Sequence, residues 1–262
     1  MASGTVQGRH ALVTGASSGL GADFARELAA RGADLTLVAR REERLRELQR
    51  GLGGRHRARI EVIVLDLTAP GAPDQLLAAT AGAGHPVDVL VNNAGYGLYG
   101  EFSRLDWERQ RNMLELDVIV PVHLTKLFLP GMLERGFGFV LNLASVGAYQ
   151  PSPTYASYSA AKSFILNFTE ALSYELRGTG VRATVLSPGI VATEFLAVSG
   201  QQPTRYQRLA RMDSATVARI GVDGMLKGRP SLVAGRLNAA SVWSNRLLPR
   251  RLSAAIANRL MT

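Results

Sequence analysis

The segment His10-Ala-Leu-Val-Thr14-Gly15-Ala16-Ser17-Ser18-Gly19-Leu20-Gly21 decides the fold. Its first five residues are an apolar run of strand length. A glycine-rich turn follows and leads directly into a stretch that carries Phe24, Leu28 and Ala29 at helical spacing. Gly15, Gly19 and Gly21 permit tight backbone geometry and let a pyrophosphate approach the chain. The helix behind the turn offers its first amides and the positive end of its dipole to such an anion. An ordinary strand–helix turn would share the glycines; the strand before and the helix after favour dinucleotide binding, with Ser17, Ser18 and Leu20 completing the loop.

Outward from this segment, short apolar runs alternate with helical patterns. The helix 23–31 is ended by Gly32. Further strands are predicted over 35–39, 60–65, 87–91, 139–143, 181–186 and 232–234, and helices over 42–50, 106–134, 158–177 and 214–227. Strict alternation, with strands apolar throughout, predicts an α/β fold: a Rossmann-type doubly wound parallel sheet of seven strands with helices on both faces. No linker or repeat divides residues 1–262, which read as one domain. The last sixty residues look less regular; a substrate cover is expected within about 190–230 and an amphipathic tail over 243–262.

Composition excludes several chemistries. With no cysteine, disulfides, thiolate metal sites and cysteine nucleophiles are ruled out, and His10, His56, His85 and His123 never fall at metal-ligand spacing, so no metal is expected. The N-terminal residues lack a long apolar run and the apolar stretches elsewhere are strand-sized, which predicts a soluble, cytoplasmic protein. The net charge is +9, but the arginines are dispersed and interleaved with acids, as in Arg40-Arg41-Glu42-Glu43-Arg44. A solvated basic face with affinity for an anionic cofactor is expected, and no nucleic-acid partner.

Further motifs follow in order. Asp66-Leu67 closes the third strand, Asn92-Asn93-Ala94-Gly95 follows the fourth, and Ser145 closes the fifth. Tyr158-Ser-Ala-Ala-Lys162 opens a helix, and Pro188-Gly189 with Val191 and Thr193 follows the sixth strand. With the Gly-x-x-x-Gly-x-Gly spacing of the first turn, the chain resembles the short-chain dehydrogenase/reductase family across nearly its whole length. The resemblance implies that Asp66 contacts the adenine, that Asn93, Ala94 and Gly95 lie beside its ribose, and that Pro188 to Thr193 hold the nicotinamide. It also implies that Lys162 hydrogen-bonds the nicotinamide ribose and that Ser145 donates to the substrate oxygen. A homodimer or homotetramer built partly from 106–135 and 158–177 is implied as well.

The cofactor expected is NADP(H). An NAD site places an acid at the end of the second strand, about twenty residues after the glycine turn. Here that place is Ala39, followed by Arg40 and Arg41. Guanidinium groups bind a 2′-phosphate through fork-shaped, charge-assisted hydrogen bonds, and they are unfavourable as mere caps of a helix N-terminus. Arg40 is the stronger candidate of the two.

Transfer of hydride to a carbonyl leaves an alkoxide that needs a proton. A free tyrosine is a poor base near neutrality, and an ammonium nearby is expected to lower its pKa. Tyr158 and Lys162, four apart, share one helix face. Only Lys126, Lys162 and Lys227 are lysines among 30 cations, so a lysine at this position suggests a compact, titratable point charge. Asp117 departs from the family, which usually has asparagine there to complete a proton route to the lysine. The expectation is activity with an altered pH profile.

The substrate is expected over the nicotinamide, near Tyr96, Leu98, Tyr149, Tyr155, Phe195 and Leu196, in largely apolar surroundings. The function implied is interconversion of a ketone or aldehyde and an alcohol on an apolar small molecule. The alternatives are a ketoacyl-thioester reductase, or an NADP-binding regulatory protein with weakened catalysis. In the tail, leucines alternate with Arg246, Arg250, Arg251 and Arg259; packing on the body or another subunit is expected ahead of peripheral membrane contact.

Overall fold

Each residue of the run Leu12-Val13 points to the opposite face of its strand, yet both are fully buried, so the strand they occupy is covered on both sides. In the computed structural model, residues 4–53 and 58–261 are described; residues 1–3, 54–57 and 262, His56 among them, lie outside. Seven described strands, β1 (His10–Thr14), β2 (Asp34–Ala39), β3 (Ile60–Val64), β4 (Val89–Asn92), β5 (Gly138–Leu143), β6 (Val181–Ser187) and β7 (Ser231–Val233), form one parallel sheet. Their order is β3-β2-β1-β4-β5-β6-β7. This is the Rossmann-type doubly wound sheet expected.

The crossovers are helical: α1 (Gly19–Ala30), α2 (Glu42–Gly53), α3 (Ala72–Ala79), α4 (Trp107–Leu114), α5 (Val120–Glu134), α6 (Ala156–Glu175), α7 (Phe195–Ser199), α8 (Arg205–Leu209) and α9 (Ser214–Leu226) connect the strands, and α10 (Arg236–Ser244) and α11 (Arg250–Met261) follow β7. Gly32 (φ 81°) receives the chain leaving α1 in a left-handed conformation that suits glycine. One core packs Val13, Leu37, Val91 and Leu141 against Phe24 and Leu28 of α1 and Val222 and Met225 of α9. On the other face, Leu12, Val38, Leu90 and Val140 meet Leu124, Phe128 and Met132 of α5 and Leu172 of α6.

Three sequence expectations change. The helix expected over 106–134 is interrupted by a π-type turn at Glu115–Ile119, where the Val120 amide bonds the Glu115 carbonyl. Trp107–Glu134 is also long and apolar enough, by length and composition, to cross a bilayer, so the apolar stretches are not all strand-sized; its inner side chains pack on the sheet as a core helix does. The C-terminal part is more regular than expected, with α10 and α11 covering most of 236–261.

Because β2 and β3 continue to one side of β1 and β4 to the other, the strand order reverses between β1 and β4. The loops leaving these two strands part there and open a crevice at their carboxyl ends.

Candidate functional site

That crevice is a cleft of about 600 Å³ running from Arg40 and Asp66 at one end to Gln201 and Met261 at the other. At its centre Gly15 has φ 67°, and a Cβ there would stand 2.9 Å from Ala94 Cα. A Cβ on Gly21 would lie 2.2 Å from the Gly15 carbonyl oxygen, so the turn closes only with glycine at both places. Thr14 Oγ1 accepts the Asn93 and Ala94 amides, each at 3.0 Å, and Asn93 Nδ2 donates to the Thr14 carbonyl at 2.9 Å. These bonds lock the loop after β1 to the loop after β4, with Gly15, Ser17, Ser18, Gly19 and Leu20 along the wall and α1 starting there. A tight, glycine-lined cradle at a helix N-terminus fits a dinucleotide's phosphates.

At the end of β2 both arginines line the cleft. Arg40 Nη1 is 3.7 Å from Asp66 Oδ2. Arg41 donates to Ser17 Oγ (3.2 Å) and Ser18 Oγ (2.6 Å) and pairs with Glu194 at 2.9 Å. The Arg41 hydrogen bond and charge hold the Glu194 carboxyl below the usual range; this carboxylate was not anticipated from the sequence. Partial burial raises Asp66, but its bonds from the Thr68 amide and hydroxyl, with Arg40, outweigh this and hold it low. Leu67, Thr68 and Asn112 complete this end.

The chemical centre is assembled by β5, the π turn and α6. Ser145 leaves β5, accepts the Gly147 amide at 3.1 Å and hydrogen-bonds the Tyr158 phenol. Tyr158 lies in the first turn of α6, and Lys162 one turn on sets Nζ 5.7 Å from the phenol ring centroid. Lys162 Nζ donates to the Leu143 carbonyl at 3.2 Å and pairs with Asp117 Oδ2 at 3.0 Å. Asp117, projected inward by the π turn, accepts the Tyr96 amide on its other oxygen at 3.0 Å. A Cβ on Gly95 would approach Asp117 Oδ1 to 2.6 Å, so glycine is required there too.

The expected lowering of the Tyr158 pKa by Lys162 is not found. Burial, then the charge of Asp117, push the phenol well above its ordinary value, against a smaller opposing effect of a hydrogen bond with Ser145. Asp117 is itself raised, because burial outweighs the pull of Lys162 and the Tyr96 amide. A protonated phenol is suited to act as an acid.

The remaining wall is aromatic. Tyr158 lies between Tyr155 and Phe195, at ring centroid distances of 5.7 and 5.3 Å. Tyr96, Leu196, Pro188, Gly189, Val191 and Thr193 also line the cleft. Tyr149 does not: the 3-10 turn Val146–Tyr149 carries its ring away, with its hydroxyl 3.4 Å from Ser187 Oγ, so its expected place at the substrate is corrected. Leu98 is buried outside the lining.

Gln201, Gln207 and Met261, which also line the cleft, had no counterpart in the sequence reading. Buried Gln201 accepts from Tyr155 Oη (2.9 Å) and Gln207 Nε2 (2.8 Å), and its own Nε2 donates to the Met261 carbonyl at 2.6 Å. Tyr155, pushed up to about 12 mainly by burial, is thereby tied to the end of α11. The Thr-x-x-Gln spacing of Thr204 and Gln207 is a capping-box signature and marks the start of α8, but no pattern in the sequence points to Met261.

A model of the short chain dehydrogenase family matches residues 9–204. An uncharacterized oxidoreductase of Myxococcus xanthus is 32% identical over 252 residues, which span 96% of this chain and 97% of the relative. Sulfoacetaldehyde reductase 2 of Chromohalobacter salexigens is 38% identical over 189 residues, 71% of this chain and 74% of its own. Among solved structures, a short-chain dehydrogenase from Sphingobium yanoikuyae in complex with NADPH shares 28% identity and a TM-score of 0.79, over 91% of this chain and 94% of that one. With the family's motifs carried on its sheet in the family's order, the chain belongs to the short-chain dehydrogenase/reductase family of oxidoreductases.

Proposed function

We propose that the protein is an NADPH-dependent reductase of an apolar ketone or aldehyde, able in reverse to oxidise the alcohol. The observation that supports this most directly is the meeting of Ser145, Tyr158 and Lys162 midway along one cleft, between a phosphate cradle and an aromatic wall. Bound NADPH supplies the hydride. Tyr158 supplies the proton: its phenol stays protonated through the neutral range, and the carbonyl oxygen takes that proton as hydride adds to the carbonyl carbon. Ser145, hydrogen-bonded to the phenol in the open cleft, turns its proton to the same oxygen and stabilises the developing charge. Lys162 positions the ribose side of the cleft, and Asp117 stands behind it as the carboxylate paired with its ammonium.

Preference for NADPH over NADH is supported by Arg40 and Arg41 at the end of β2, where a ribose-binding acid would otherwise stand, and by the NADPH held in the Sphingobium relative. The apolar substrate class is supported by Phe195, Leu196 and Val198 in the wall. The test is NADPH consumption, followed by absorbance, across a panel of ketones and aldehydes. Turnover that disappears in Tyr158→Phe is expected. Equal or better catalytic efficiency with NADH would sink the cofactor assignment, and near-full turnover by Tyr158→Phe the proton donor.

A further inference from the structure

The net charge of +9 resides in the last quarter of the chain. Residues 1–194 carry nineteen lysines and arginines against nineteen acids, whereas residues 195–262 carry eleven against two, Asp213 and Asp223. Arginines that are dispersed in number are thus segregated in net charge. Beyond Asp223 there is no acid. Such asymmetry marks a surface made for an anionic partner.

The last two helices of this segment, α10 and α11, expose large apolar side chains that helices ordinarily bury. α11 turns Ser253 and Ala257 inward and leaves Leu252 and Ile256, one turn apart, exposed, with Arg259 on the same side a turn later. α10 buries Val242 but leaves Leu237 88% and Trp243 62% exposed, and Leu247 between the two helices is 71% exposed. Exposed large apolar residues and exposed arginines therefore alternate along 236–261, the composition of helices that lie in a lipid–water interface.

We propose that the outer face of α10 and α11 docks on an anionic lipid bilayer. Charge complementarity selects this occupant. A second copy set face to face would bring arginine to arginine with no carboxylate on the segment to separate them. A nucleic acid would neutralise the arginines but leave Leu247, Leu252 and Ile256 against phosphate and water. A layer of anionic headgroups above acyl chains satisfies both. α11 ends at Met261 in the cleft wall, and Val198, also in that wall, is exposed, so docking brings the substrate end of the cleft close to the bilayer. Delivery of an apolar carbonyl compound from lipid rests on the reductase reading; the docking itself does not.

The test is flotation of the full-length protein with vesicles of phosphatidylcholine alone and of phosphatidylcholine mixed with phosphatidylglycerol. Binding only to the mixed vesicles, weakened by salt, is expected. Replacing Arg246, Arg250 and Arg251 by glutamate is expected to lower partition by on the order of a hundredfold or more. Leu252→Ser with Ile256→Ser is expected to lower it about tenfold, with unchanged thermal melting. Absence of binding to the anionic vesicles, or binding indifferent to both variants, would overturn the proposal. So would a dimer that dissociates on the Leu252→Ser/Ile256→Ser change without vesicle binding, or preferential binding of duplex DNA. Flotation needs neither substrate nor NADPH, so a vesicle-bound protein without turnover refutes only the reductase reading.

Discussion

Asp117 Oδ2 lies 3.0 Å from Lys162 Nζ with both side chains buried, so the ammonium is already compensated by a carboxylate where it faces Tyr158. The pair places a negative charge that raises the proton affinity of the phenol. Asp117→Asn removes that charge and almost nothing else. Reduction requires the protonated phenol, so its rate falls as pH rises through the Tyr158 pKa; in the variant this alkaline limb moves to lower pH. Alcohol oxidation at about pH 8 is expected to rise several-fold. Steady-state rates in both directions across pH check this, and superimposable profiles for the two proteins would refute it.

Tyr158→Phe is expected to lower kcat by roughly a hundred- to ten-thousandfold while leaving NADPH affinity within about threefold. Lys162→Arg should also fail. The lysine head is enclosed by Asp117, the Leu143 carbonyl and the Gly95 backbone, where a Cβ added to Gly95 would already lie 3.3 Å from Nζ. A fluorescence titration of NADPH beside the rate measurement separates lost chemistry from lost binding.

Arg40→Ala and Arg41→Ala are each expected to cost about tenfold or more in kcat/KM for NADPH while changing NADH little. Glu194 acts in the opposite sense. Its carboxylate holds Arg41 at 2.9 Å and repels an approaching phosphate, so Glu194→Gln is expected to lower the KM for NADPH. An increase would show that Glu194 supports Arg41 more than it competes for it.

His10 couples stability to pH. Its Nε2 lies 2.8 Å from Thr36 Oγ1 and its Nδ1 3.1 Å from the His85 carbonyl, and burial lowers its pKa despite the carbonyls beside it. The unfolded chain therefore takes up the proton first as pH falls. The stabilisation is present above about pH 6.5, the unfolded value, and is lost as pH falls through the lower folded pKa. Tm should fall between about pH 7 and pH 5 more steeply in the native chain than in His10→Gln.

Gln201→Leu leaves the Tyr155 hydroxyl, Gln207 and the Met261 carbonyl without their shared buried partner, at a cost of about 2 kcal/mol or more. Amide exchange over 250–261 should accelerate before the sheet is affected. Uniform acceleration throughout the chain would show that α11 does not open on its own.

The sheet was legible because its strands are covered on both faces and so read as unbroken apolar runs; the bounds of β1, β2 and β5 differ from the expected ones by a residue at most. The nucleotide loops and Tyr158 with Lys162 were legible because their chemistry depends on local spacing. The π turn was not, since Glu115–Ile119 has an ordinary helical composition and only the inward pull on Asp117 distinguishes it. Tyr149 misled through its nearness in sequence to Ser145, which a single 3-10 turn reverses in space. Nor could Tyr158 be judged from Lys162 alone, because the charge that cancels the ammonium comes from another helical segment, more than forty residues earlier.

Gln201 and Met261 meet across a gap of 60 residues, and the family match stops at residue 204, between them. Among the described residues that line the cleft, only Gln207 and Met261 lie beyond that stretch, and both reach it through Gln201. The end of the chain thus closes a wall whose other members the family stretch supplies. A chimaera that exchanges the segment from 205 onward with that of a relative should keep its coenzyme and change substrate preference only through this closing contact.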